Sequence, residues 1–303
     1  MPGTPTFAAS PGFLGLAPRA ADRDAAFQVA GIPLDLGTTN RSGAREGPAA
    51  IRRASRMLVD GAHPEHWIDP RLQMDIADLG DFPIALGDLP SSLALIEAAA
   101  ARCRHLVALG GEHLVTLPLL RALRRRLGAP LGLLHLDAHL DTWATNFGKP
   151  LAHGTVFFRA IEEGLVDPRR MVQIGIRSPV DRETWDWTQA RGVTVVSGQR
   201  AQEIGPAGLA TIACTVLGEA PCYLSFDIDA LDPAFAPGTG TPEVGGLATW
   251  QAQGLLRRLE GLDFVGMDVV EVAPAYDVAE ITALAAATVA WEYLALLGVR
   301  KPV

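Results

Sequence analysis

Two histidines and two aspartates fall within seven residues in the stretch HLDAHLDTW, His135 to Trp143, directly after the apolar run LGLL. Burying such groups without partners is costly, so their placement calls for something to bind. Along extended chain, residues two apart share a face. Asp137, His139 and Asp141 therefore point one way, and Leu136, Ala138 and Leu140 the other. The stretch SFDIDALDP repeats the pattern, with Asp227 and Asp229 opposite Phe226 and Ile228. GGEH adds His113 behind Gly110 and Gly111, a pair that permits close backbone approach.

Four carboxylates and two imidazoles brought together would repel and shift their pKa values unless cations joined them. Two divalent ions balance four negative charges, which favours a binuclear centre over a single ion. Sulfur-free carboxylate and imidazole donors suit Mn²⁺ best, with Ni²⁺, Co²⁺ or Zn²⁺ as the alternatives. A structural salt-bridge cluster is the competing reading, but Arg177 is the one cation near these motifs, too few for four acids. His135 is expected to be a hydrogen-bonded histidine near the strand end.

The elements that must position these residues are seven short apolar runs: FQVAGIPLDLG, HLVALGGEH, LGLLHLDAHLD, MVQIGIRS, VTVVSG, CYLSFDIDALDP and FVGMDVVEVAP. Helix-like stretches such as SSLALIEAAAARC, LPLLRALRRRLG and TWQAQGLLRRLEG alternate with them. Near-continuous apolar strands alternating with helices indicate an α/β protein with a parallel sheet covered on both faces. In five runs the polar cluster follows the apolar strand, the arrangement of open α/β sheets that bind ligands at the carboxyl ends of their strands.

The chain has 303 residues, 49% hydrophobic and 20% charged. That is enough for a large core. No repeat or linker divides it, so one catalytic domain is expected over 25–303, preceded by an irregular arm over 1–24. Its net charge of −8 gives no basic stripe, which argues against nucleic acid and is compatible with a small cationic substrate. Cys103, Cys214 and Cys222 show no metal spacing and read as reduced, buried small hydrophobes. The first twenty residues lack a basic region and are interrupted by Pro11 and Pro18, so they resemble neither signal peptide nor membrane span. No apolar run of spanning length is expected elsewhere, and a cytoplasmic protein with no membrane contact is the expectation.

GGEH, HLDAHLD, SFDIDALDP, PGTGTPEVGG and MDVVEVAP, in this order, resemble the ureohydrolases, the arginase and agmatinase family, from about Gly31 to the last helix. The resemblance implies a three-layer α/β/α domain with a mostly parallel eight-stranded sheet, assembly as trimers or hexamers, and hydrolysis of a guanidino compound to urea and an amine. It implies two Mn²⁺ per chain, Ni²⁺ or Co²⁺ being alternatives. One would be held by His113, Asp137, Asp141 and Asp227, the other by Asp137, His139, Asp227 and Asp229, with Asp137 and Asp227 bridging. Two metals sharing a water lower its pKa and provide a bridging hydroxide near neutral pH.

Glu271 matches the family's guanidinium-binding glutamate, since a carboxylate orients a planar guanidinium through two parallel hydrogen bonds. His153, in LAHGTVFF, matches the histidine that moves a proton to the leaving amine. Asp141 is additionally placed to hydrogen-bond the hydroxide. The motif GIPLDLGTTNRSGAREGPAAIR is most similar to agmatinase-like members, which makes agmatine the expected substrate, with 4-guanidinobutyrate, 3-guanidinopropionate, proclavaminate-like compounds or alkylguanidines as alternatives. Arg41 or Arg45 could meet a carboxylate tail, and Asp181 or Glu183 an amine, with a solvated surface position the equal alternative for all four. Glu112 and Leu114 depart from the common Asp and Ser of the GGDHS pattern, and His63, His66 and Trp67 could stand at the pocket mouth or a subunit contact, with loop decoration the favoured reading. A single-zinc deacetylase-like enzyme and a non-catalytic assembly subunit are the readings from other classes. Two metals per chain would remove the first, and intact His153 and Glu271 argue against the second.

Overall fold

The computed structural model describes residues 11–19 and 24–299. Eight strands form one sheet: β1 (Phe27–Gly31), β2 (Ile76–Asp81), β3 (Leu106–Leu109), β4 (Leu131–Leu136), β5 (Val166–Ile176), β6 (Thr194–Ser197), β7 (Cys222–Asp227) and β8 (Phe264–Val270). Every neighbouring pair is parallel, in the order β2-β1-β3-β8-β7-β4-β5-β6. Helices cross between them: α1 (Gly47–Ala54), α2 (Pro70–Gln73), α3 (Leu89–Ala100), α4 (Thr116–Leu127), α5 (Val156–Glu162), α6 (Arg182–Ala190), α7 (Gly198–Leu217), α8 (Thr249–Leu256) and α9 (Ile281–Val299).

Alternation along the strands divides the interior into two layers. Leu134, Leu136, Leu224, Phe226, Met267 and Val269 pack with residues of α7, α8 and α9 on one face. Leu133, Tyr223 and Ala108 pack with residues of α3, α4 and α5 on the other. The second parity carries His135 and Asp137 on from β4, and Ser225 and Asp227 on β7. Side chains that interrupt the apolar pattern thus emerge together beneath α4 and α5. The α4 stop is legible locally: Arg124, Arg125 and Arg126 in the last turn suit the negative end of the helix dipole, and Gly128 takes the left-handed cap at φ 74°.

Three features differ from the sequence reading. Strand β2 was not among the seven runs, because IADLGD, preceded by Asp75, carries too many acids to read as strand. It is an edge strand, where charge is tolerated and guards against edge pairing, and Asp78 is buried against Arg52 at 2.9 Å. Of the arm expected over 1–24, residues 1–10 and 20–23 lie outside the described residues. Residues 11–19 pack inward, with Phe13 and Leu14 buried and their N–H groups donating to Asp78 (2.7 Å) and Ser55 (2.8 Å). Helix α9 is, by length and mean hydropathy of 1.5, an apolar run of spanning length, which corrects the expectation of none. It is apolar all round because it lies inside the core, 72% buried.

Candidate metal centre

The centre of the sheet decides what meets. Strands β3, β8, β7 and β4 are adjacent, so the turns after them open onto one crevice. His113 follows β3, Glu271 follows β8, Asp227 ends β7 with Asp229 two residues on, and Asp137, His139 and Asp141 follow β4. The order also reverses here: after β3 the chain skips two strand positions to reach β4, the topological switch where open α/β sheets bind ligands. Gly110 and Gly111 make the closeness feasible. A Cβ on Gly110 would lie 2.6 Å from Val270 Cα, and one on Gly111 2.5 Å from Ile32 O.

All six expected donors come together. His113 Nδ1 lies 3.2, 3.0 and 3.2 Å from carboxylate oxygens of Asp137, Asp141 and Asp227, yet it is buried with no hydrogen-bond partner among the described residues. His139 Nδ1 lies 3.2 Å from both Asp137 Oδ1 and Asp229 Oδ2. Donors about 2.1 Å from one ion and at right angles to each other stand about 3 Å apart, so these separations fit cation coordination. Asp137 presents Oδ2 to the first group and Oδ1 to the second, as a bridging carboxylate would. Arg177, the one cation expected near these acids, spends its guanidinium on backbone carbonyls, including Asp229 O at 2.7 Å and Glu243 O at 2.6 Å. It does not neutralise the carboxylates.

The electrostatics point the same way. Burial, with Asp229 and Asp137 close by, pushes Asp227 well above the usual carboxylate range. Burial also raises Asp229, against the pull of His139. Burial would raise Asp137 too, but the imidazoles of His135, His113 and His139 hold it well below. For His113 and His139, burial opposes charge, and the surrounding carboxylates still hold both well above the ordinary histidine value. Burial and like charge disfavour the charged acids here, and divalent cations would supply the missing positive charge. The donor set fits two such ions.

His135 is fully buried, with Nε2 2.8 Å from Asp137 Oδ2 and Nδ1 3.0 Å from Gln173 Nε2. His135 is hydrogen-bonded near the strand end, as expected, although it stands close enough to His113 and Asp137 to offer a donor atom itself.

Beside the cluster, Glu271 is buried at φ 64°, and Asp141 sits at φ 52°. Both are non-glycine residues held in the left-handed region, as strained functional positions often are. Glu271 Oε1 accepts the His113 N–H at 2.8 Å and lies 3.1 Å from His153 Nδ1. Its Oε2 is buried and unpartnered among the described residues. Burial works against protonation of His153, but Glu271, with Asp141 and Glu112, lifts it to about 9.

Several neighbours escaped the sequence reading. Thr39 Oγ1 lies 2.7 Å from His153 Nε2. Glu112, noted only as a departure from the family pattern, takes the Gly37 N–H at 2.8 Å and so ties down the loop bearing Thr39. Burial and the nearby Glu271 push Glu112 up to about 8. Asp268, a lone carboxylate inside FVGMDVV, was the available signal for a further buried contact. Of the residues considered for a substrate tail, Arg45 is committed to Asp35 (2.6 Å). Arg41 lies over the Tyr276 ring at 5.0 Å. Asp181 caps α6 and accepts the Trp143 indole N–H at 2.9 Å. His63 is fully buried against α9, 2.8 Å from Glu292, and His66 stacks on it. Trp67 is 75% exposed.

A parallel α/β/α sheet whose central strand ends gather four carboxylates and two imidazoles, with a carboxylate and a histidine alongside, defines a metal-dependent hydrolase. The sequence profile of the Arginase family matches residues 25–295, and the chain belongs to that family. The family implies a binuclear metal centre, and the guanidinopropionase and agmatinase relatives support hydrolysis of a guanidino compound to urea. The chain is 48% identical over 302 residues to guanidinopropionase of Pseudomonas aeruginosa, covering 97% of this chain and 93% of that protein. It is 44% identical to agmatinase of Salmonella paratyphi B, covering 92% and 90%. Among solved structures it matches proclavaminate amidino hydrolase of Streptomyces clavuligerus with a TM-score of 0.92 at 36% identity, covering 98% and 99%.

Proposed function

We propose that residues 25–303 act as one catalytic domain, an agmatinase-like amidinohydrolase that cleaves agmatine to putrescine and urea with two Mn²⁺ per chain. The observation that carries the reading is the buried group of four carboxylates around two imidazoles, with His113 Nδ1 unpartnered among the described residues. His113, Asp137, Asp141 and Asp227 would hold one ion, and Asp137, His139, Asp227 and Asp229 the other. When bound, the pair supplies an activated water at neutral pH and balances the acids. Glu271 Oε2, buried and without another partner among the described residues, receives the guanidinium and orients its plane. His153, lifted to about 9 by Glu271, keeps a proton at neutral pH to give to the leaving amine.

The 44% identity to agmatinase supports agmatine. A second reading, an ω-guanidino acid, is favoured by the identity to guanidinopropionase and by a cavity of about 430 Å³ where Lys149 stands beside Thr38, Thr39 and Asn146. The family resemblance supports a homo-oligomer, trimer or hexamer.

A urea-release assay over agmatine, 3-guanidinopropionate, 4-guanidinobutyrate, arginine and alkylguanidines, repeated with Mn²⁺, Ni²⁺ and Co²⁺, tests the reading. Agmatine turned over best with Mn²⁺ is the expected result. No urea from any of them with any metal would sink it.

A further inference from the structure

Asp268 is wholly buried in the middle of β8, where an unneeded carboxylate is expensive. Its Oδ2 accepts hydrogen bonds from Thr116 Oγ1 (2.8 Å) and the Tyr223 hydroxyl (2.9 Å). Its Oδ1 accepts the Ser225 hydroxyl at 2.7 Å. Ser225 Oγ in turn lies 2.9 Å from His113 Nε2. A serine has one proton, so the direction of this chain is constrained. If Ser225 gives its proton to Asp268, its oxygen accepts from Nε2–H, and His113 Nδ1 is left as a bare lone pair facing Asp137, Asp141 and Asp227. If Asp268 instead donated to Ser225, the serine proton would turn to Nε2, Nδ1 would carry hydrogen, and that nitrogen could hold no cation.

We infer that Asp268 is a positioning residue that, through Ser225, selects the His113 tautomer able to bind metal. Burial pushes Asp268 up, while the His113 imidazole and the three hydroxyls pull it back towards the acceptor form. The segment joins three strands and one helix: Asp268 on β8, Ser225 and Tyr223 on β7, Thr116 at the start of α4, and His113 after β3. Orienting partners of this kind typically contribute a factor of 10 to 100 in metal affinity.

The inference rests on the metal centre proposed above. Its test is Mn²⁺ titration of the full chain, read as bound metal per chain, for wild type, Asp268→Asn, Ser225→Ala and the double variant. Wild type should bind two ions. Each single variant should weaken one of them by about 10- to 100-fold, lose kcat with little change in KM, and recover kcat in excess Mn²⁺. The double variant should lose no more than the worse single one, because both act along one path. Ser225→Ala removes a single oxygen and keeps the test available should Asp268→Asn fail to fold. Wild-type Mn²⁺ affinity in a folded single variant, or losses that multiply in the double, would overturn the inference and leave the hydrolase reading standing. Wild type that binds no metal would overturn both.

Discussion

In the proposed ligand set Asp229 and His139 serve the second ion alone, so Asp229 tests whether the centre holds two ions. It stands 3.2 Å from His139 Nδ1 and takes the Ala138 N–H at 3.1 Å, on the far side of Asp137 from His113. Asp229→Ala should fold, because the change removes a carboxylate whose charge burial already disfavours. It should lose one of two metals and nearly all turnover, by metal analysis and urea release; wild-type urea release from this variant would remove the mechanism as drawn. His153 sets a pH dependence. Its folded pKa is raised to about 9, chiefly by Glu271 against the opposing effect of burial. A raised pKa means the proton favours the folded state. The contribution is complete below the ordinary histidine value near 6.5 and disappears as pH rises through about 9. Denaturant titrations from pH 6 to 10 should therefore show wild type losing its advantage over His153→Gln; a constant gap would contradict the assignment.

At the scale of elements, the catalytic turns are joined by backbone as much as by side chains. Glu271 N–H donates to Gly111 O, Gly111 N–H to Ile32 O, and Glu112 N–H to Leu34 O, at 2.8, 3.0 and 2.7 Å. These bonds lash the ends of β1, β3 and β8 together and bring Glu271 onto His113. Gly111 has no room for a side chain in this lashing, since its Cβ would press on backbone oxygens of Ile32 and Leu34 rather than on a movable side chain. Gly111→Ala should destabilise the fold by about 3 kcal/mol or more, visible as a lower denaturation midpoint. Neutral behaviour would mean the turn can open without loss. The GGEH pattern announced close approach, but which strands approached depended on the sheet order.

At the scale of the whole molecule, the metal centre sits between the two halves of the sheet and its binding energy should be part of the stability. Stripping the ions with a chelator leaves fully buried Asp137, Asp227 and Asp229 uncompensated. Ligand held at 100-fold above its dissociation constant stabilises by about 2.7 kcal/mol. The chelated protein should melt several degrees lower and recover on adding Mn²⁺; identical melting curves with complete metal removal would count against the centre. The two core layers belong to the same account. Leu134 and Leu136 anchor β4 in one layer while His135 and Asp137 emerge towards the other, so the core fixes the register that aims the donors.

The sequence by itself determined the chemistry: which donors exist, which parity they share along each strand, and that each cluster follows an apolar run. Those are local properties, set by composition and a two-residue period. It also carried the alternation of strands and helices from which a covered parallel sheet follows. Tertiary structure decided the rest. It made β3, β8, β7 and β4 neighbours, hid the acid-rich β2 at an edge, and placed Thr39 on His153 across 114 residues. It set Asp268 behind Ser225 and His113, and committed Arg45 to Asp35 and Arg177 to backbone carbonyls. Such pairings depend on sheet order and on the room beside each strand end, and no spacing along the chain encodes them.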